Sequence, residues 1–180
     1  MSFFSAKLFV ASTLLVALNA CSSDTKPEVP ANRITLNDFE SLDGWMPAVP
    51  LATEKAHSGR FSAKVEPGIE YSLGYENALG KVSATKISKL TVNGWALRTG
   101  GDAKSVIVVE ITNPANPAEK VFWQSMDIRE QVKTYNTWTK VSKEFTLPAT
   151  ILPTHRLRVY MWLAGAKQAT FLDDVEITKS

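Results

Sequence analysis

The sequence predicts an all-β domain built as a two-sheet sandwich, and three observations carry that expectation. Residues Leu157 to Leu163 alternate strictly: Leu157, Val159, Met161 and Leu163 are aliphatic, while Arg158, Tyr160 and Trp162 are basic or aromatic. A period of two is the side-chain repeat of a strand, and no helical spacing sorts these residues so cleanly. Short runs rich in Val, Ile, Thr and aromatic residues recur between Ile34 and Ile177, broken by Gly, Pro, Asn and Asp, and long helical periodicity is absent. The chain has one cysteine, so no internal disulfide staples it and stability must come from a buried core. Many evenly spaced strands of this kind suggest two packed sheets.

Taken in order, Met1 to Ala20 reads as a signal peptide: a short region ending in Lys7, an apolar run from Leu8 to Leu18, and a small residue before Cys21. The run is too short to stay as a membrane span. Leu18-Asn19-Ala20-Cys21 resembles the lipobox of bacterial lipoproteins, which implies that Cys21 is lipidated and becomes the first residue after cleavage. An ordinary secretory peptide with a chance cysteine is the plainer alternative, and it leaves an exported free thiol to explain. Ser22 stands where an aspartate would resemble an inner-membrane retention signal, so the outer membrane of a two-membrane bacterium is the expected address, with either face open. Residues 21–32 hold two prolines and no apolar periodicity, and read as a tether.

Removing 20 of the 180 residues leaves 160, and residues 33–180 have the length of one domain. Once Lys7 leaves, 19 basic side chains face 18 acidic ones, without the concentrated basic patch that nucleic acid needs. Ile34 to Phe39 is the first expected strand, followed by the turn Leu42-Asp43-Gly44 and then Trp45. His57-Ser58-Gly59-Arg60 reads as a turn into a strand where Phe61, Ala63 and Val65 alternate with Ser62 and Lys64, and Pro67-Gly68 turns the chain again. Ile69 to Tyr75 follows, with Tyr71 and Tyr75 on one side, and then Leu90 to Arg98, closed by Gly100-Gly101. Ile107, Val109 and Ile111 oppose Val106, Val108 and Glu110, and either set qualifies as the inner one. The proline-rich loop from Asn113 to Pro117 joins that strand to Val121–Gln124 as a hairpin. Trp138 to Leu147, Leu157 to Leu163 and Phe171 to Ile177 complete the set.

Several strings now stand in a telling order: Asp38-Phe39-Glu40, Gly44-Trp45, His57 through Val65, Trp95, Trp138 with Val141 and Phe145, and Phe171-Leu172-Asp173-Asp174-Val175. Together they resemble the jelly-roll carbohydrate-binding modules found beside xylanases and other glycanases, part of the galactose-binding-like superfamily, over nearly all of residues 34 to 178. The resemblance implies a jelly-roll β-sandwich, a non-catalytic glycan-binding role and a structural calcium at one end. For the calcium it implies Glu40 after the first strand, backbone carbonyls at Ser58 and Arg60, and Asp173 of the last strand. Periodicity agrees, because Phe171, Asp173, Val175 and Ile177 alternate and turn Asp173 inward, where a carboxylate needs a cation or several donors. Backbone N–H groups at a strand end are the metal-free alternative.

Tyr160 and Trp162 share the outward face of their strand with Arg158. Aromatic rings suit the apolar C–H face of a pyranose, and flanking polar groups pair with its hydroxyls. In the resembled modules the outer, concave face of one sheet binds glycan chains, which implies Arg158, Tyr160 and Trp162 as the platform and Arg98, Glu110 and Gln124 beside it if neighbouring strands align. Trp45, Trp95 and Trp138 match positions that are mostly core. A patch covered by a protein partner is the alternative for exposed rings. His57 and His155 fall in expected turns, with no nucleophile pattern, zinc spacing or phosphate loop nearby, so no catalytic residue is assigned. Two functions follow: a glycan-binding lipoprotein that holds polysaccharide, or a structural or adhesive envelope subunit that offers the same face to a protein.

Overall fold

The computed structural model describes Met1 and residues 30–41, 45–46 and 51–180, so the expected signal peptide, Cys21, most of the tether and the Leu42-Asp43-Gly44 turn lie outside the described residues. In chain order the elements are β1 (Arg33–Asn37), β2 (Trp45–Met46), β3 (Ala63–Val65), β4 (Gly74–Ala78), the single helical turn α1 (Leu79–Val82), β5 (Lys89–Arg98), β6 (Val106–Asn113), β7 (Asn116–Asp127), the single turn α2 (Ile128–Gln131), β8 (Thr139–Thr146), β9 (Arg156–Trp162) and β10 (Thr170–Lys179). They form two antiparallel sheets. The back sheet runs β1-β10-β5-β8, with β3 also paired to β10, and the front sheet runs β2-β4-β9-β6-β7. The domain is an all-β jelly-roll sandwich.

Alternation on the strands explains the packing. Leu157, Val159 and Met161 of β9, Ile107, Val109 and Ile111 of β6, Leu90, Val92 and Ala96 of β5, and Leu172, Val175 and Ile177 of β10 meet in one core between the sheets. Burying each of the larger side chains stabilises by about 1.5–3 kcal/mol. The regular strand β9 sits between β4 and β6 in the middle of the front sheet, so its aliphatic positions are sealed and its other face is presented outward. The expected hairpin holds: β6 and β7 join through two residues, Asn113 being paired with Asn116. Pro117 is tolerated just inside β7 because that strand is an edge.

Two local insertions change which side chains face where. On β10, Asp173 pairs with Trp95 but Glu176 pairs with Asn93, so the strand carries an extra residue, and Asp174 takes a left-handed φ of 47° there. Leu172, Val175 and Ile177 therefore reach the main core, whereas Phe171 and Asp173 lie on the outer side of the back sheet. Asp173 is nonetheless fully buried, because the segment around residues 52–62 folds over it: Ala52 bridges Ser62, and Ala52, Leu97 and Phe171 form a small second cluster. The second insertion lies between Tyr71, which faces Trp162, and Tyr75, which faces Val159. Four residues on one strand span three on the other. The two tyrosines end on opposite faces, Tyr71 at 47% exposure and Tyr75 at 4%, against the expectation that they share one. Trp95 and Trp138 are half-buried on the outside of the back sheet, Trp138 against the small cluster, and neither enters the main core as expected.

Candidate functional site

Strand register lays the outer face of the front sheet out in three rows. The first runs Trp123, Glu110, Arg158 and Glu76 across β7, β6, β9 and β4. The second holds Ser125, Val108 and Tyr160, and the third holds Asp127, Val106, Trp162 and Tyr71. Gly74 is required where β4 passes Tyr160: an added Cβ would come 3.0 Å from the Tyr160 Cβ and 3.1 Å from the Val159 carbonyl. The rings trace a diagonal from Trp123 through Tyr160 to Tyr71 and Trp162. Tyr71 meets Tyr160 edge-on at 5.8 Å between centroids and lies nearly parallel to Trp162 at 6.5 Å. The Trp162 indole N–H donates to Glu70 Oε1 at 3.1 Å, which holds that ring at its edge.

Charges run beside the rings in compensated pairs. Glu110 is 5% exposed and sits between Arg158 Nη1 at 3.4 Å and Lys120 Nζ at 3.7 Å, the pairing that a buried carboxylate needs. Glu76 binds Arg156 at 2.7 Å and Arg158 Nε at 3.3 Å. The Arg158 Nε contact is an ion pair without hydrogen-bond alignment, so that buried N–H retains an unspent donor. Arg158 also lies 5.5 Å over the Tyr160 ring, and Lys120 lies 5.8 Å over Trp123. Burial pushes the Tyr160 phenol up and the Glu110 charge adds to this, with Arg158 and Trp123 opposing, so the hydroxyl is a neutral donor at physiological pH. Aromatic rings and fixed hydrogen-bond donors and acceptors therefore share one surface.

The structure brings Glu110, Arg158, Tyr160 and Trp162 together as the sequence suggested, and it removes two expected members. Arg98 belongs to β5 in the back sheet, 5% exposed, where it donates to the carbonyls of Ala103, Val132 and Gly101 and stacks 5.4 Å from the Tyr135 ring. It clamps loops, because β5 is not a neighbour of β9. Gln124 pairs with Val109 and so has the parity of the core-facing side of edge strand β7; Trp123, one residue earlier, takes the outer face. Trp123, Tyr71, Glu76 and Lys120 are the site residues that sequence reasoning missed. The adjacency of Phe122 and Trp123, one of which had to face outward, was the available signal for the first.

At the end of the sandwich, the four residues expected around calcium are also close, but their chemistry is different. Asp173 Oδ2 accepts the backbone N–H groups of His57 at 2.7 Å and Ser58 at 3.2 Å, and Oδ1 accepts that of Asp174 at 2.7 Å. Glu40 Oε1 accepts the N–H groups of Arg60 at 2.7 Å and Phe61 at 2.8 Å. An oxygen with two N–H donors has spent both lone pairs. Gly59, at φ 55°, is required in this turn, since a Cβ there would fall 2.5 Å from Glu40 Oε1. Desolvation raises the Asp173 carboxyl and the three N–H bonds counter it. Ser58 and Arg60 direct amide hydrogens at Asp173 Oδ2 and Glu40 Oε1, so those two oxygens are committed without a cation; the ion enters no step below.

No family model matches the chain, and no curated protein matches it. Solved structures do. The CBM22-1 xylan-binding domain of Paenibacillus barcinonensis Xyn10C aligns at 18% identity over 82% of this chain and 94% of its own, with a TM-score of 0.54. The CBM22-2 xylan-binding domain of the same protein aligns at 17% identity over 82% and 99%, also at 0.54. The C-terminal family 22 carbohydrate-binding module of Clostridium thermocellum Xyn10B aligns at 16% identity over 84% and 97%, at 0.52. The likeness at this identity is one of fold, that of carbohydrate-binding jelly-roll modules.

Proposed function

From that shared fold, we propose that the chain is a non-catalytic glycan-binding lipoprotein whose domain holds a polysaccharide across the outer face of its front sheet. The diagonal of Trp123, Tyr160, Tyr71 and Trp162, flanked by the Glu76-Arg158-Glu110 charge row, carries this reading. A sugar chain laid along the diagonal stacks on successive rings while the exposed part of the Arg158 guanidinium, the Tyr160 hydroxyl and the carboxylates pair with its hydroxyls. Xylan is the first ligand to try, because the two Paenibacillus barcinonensis modules that share the fold are xylan-binding domains. Lipid on Cys21 anchors the chain to the outer membrane and residues 22–32 give the domain reach.

Affinity electrophoresis through gels holding xylan or other polysaccharides tests the binding, followed by calorimetry on whichever glycan retards the chain. Retardation of the wild type that folded Trp162→Ala and Trp123→Ala variants lose supports the proposal. A wild type that no polysaccharide retards returns the face to the adhesive reading.

A further inference from the structure

We infer that the outer face of the back sheet carries a second, independent site, centred on Trp95 and Lys140, for a carboxylate-bearing sugar such as a uronic acid. A groove of about 320 Å³ lies on this face beside the extra residue of β10, bordered by Arg33, Asn93, Trp95, Lys140, Asp174 and Glu176. Register places Lys140 directly opposite Trp95, and Ser142 and Glu176 on either side of Asn93. His57 stacks on Trp95 at 4.0 Å with 14° between the planes, and it does not border the groove. The groove therefore meets the part of the indole that His57 leaves uncovered, which is held still by that stack.

The polar atoms around the groove decide the ligand. Both acids are already engaged: Asp174 takes His57 Nδ1 and the Ser58 hydroxyl, and Glu176 takes Arg33 Nε at 2.7 Å. Asn93 Oδ1 accepts the Ser142 hydroxyl at 2.6 Å, which leaves its amide N–H₂ group unspent. Lys140 Nζ and Trp95 Nε1 have no partner among the described residues. The uncommitted groups are thus the Lys140 cation and the N–H donors of Asn93 and Trp95 around an aromatic wall, with the outer guanidinium N–H groups of Arg33 beside them. A pyranose resting on Trp95 and carrying a carboxylate answers all three, its charge against Lys140 and its oxygens against Asn93 and the indole N–H. This face lies across the sandwich from the front sheet, so a ligand here neither needs nor blocks the polysaccharide proposed there.

Calorimetry with a galacturonic acid trimer, its methyl ester serving as the uncharged control, tests the site. The wild type and Trp162→Ala should bind the trimer alike, with affinity falling as salt rises. Lys140→Met should weaken it about tenfold or more, the loss of one charge-assisted contact, and bring trimer and ester level. Lys140 is exposed, so that variant keeps its fold even if Trp95→Ala does not. Undiminished binding by Lys140→Met, loss of binding by folded Trp162→Ala, or no binding of the trimer by the wild type would each overturn the inference. None of these results depends on whether xylan binds the front sheet.

Discussion

Trp162 and Met161 are chain neighbours with opposite duties, and substitutions at the two should separate cleanly. Trp162 is half-exposed beside Tyr71, whereas Met161 is fully buried between the sheets. Trp162→Ala should cost about 2 kcal/mol of glycan binding, roughly thirtyfold, with little change in stability. Met161→Ala should cost about 2–5 kcal/mol of stability in denaturant titration and leave affinity untouched. Tyr160 gives a pH test. Its phenol ionises above the ordinary 10.0, so the folded chain keeps that proton longer than the unfolded one. Its contribution is then intact below pH 10 and declines as pH climbs through the raised value. Tyr160→Phe should flatten the alkaline fall in stability and remove one late-ionising phenol from the tyrosinate absorbance titration. Single residues were legible where parity was unambiguous, as at Tyr160, and misread where one step mattered, as with Gln124 taken in place of Trp123.

At the scale of elements, β9 was legible because it is regular from Arg156 to Trp162, while β10 and the approach to β4 each hide one inserted residue. A period-of-two reading carries a side-chain assignment past such a point with the wrong sign. It placed Asp173 in the core when its burial comes from the covering segment instead. That segment hangs on carboxylates: Asp173 collects His57, Ser58 and Asp174 N–H groups, and Glu40 collects those of Arg60 and Phe61. Asp173→Ala should orphan the His57 and Ser58 donors and cost about 1–3 kcal/mol, seen as faster amide exchange through residues 55–61. Because Asp173 Oδ2 and Glu40 Oε1 each already accept two N–H groups, chelator or added calcium should leave the melting temperature of the wild type where it is. A chelator-induced drop that Asp173→Ala abolishes would show that the carboxylates rearrange around a metal.

At the scale of the whole molecule, the two-sheet architecture could be read from strand spacing alone, but which strands neighbour one another could not. Non-sequential order is the reason: β5 lies between β10 and β8 while β6 lies between β9 and β7, so Arg98 and Glu110, twelve positions apart in sequence, part to opposite sheets. Membrane attachment also belongs to this scale. Cys21→Ser should move the chain from the membrane to the soluble fraction, and a wild-type mature chain recovered without acyl groups would remove the lipid anchor from the account. Arg33 at the start of β1 pairs with Thr178 near the end of β10, and Lys179 N–H donates to the Asn32 carbonyl. The domain's entrance and exit are therefore one doorway, which makes it a cassette: it can be spliced into a surface loop of a host protein, or its ends sealed and the ring reopened at the two-residue turn between β6 and β7, with both sheets keeping their strand order.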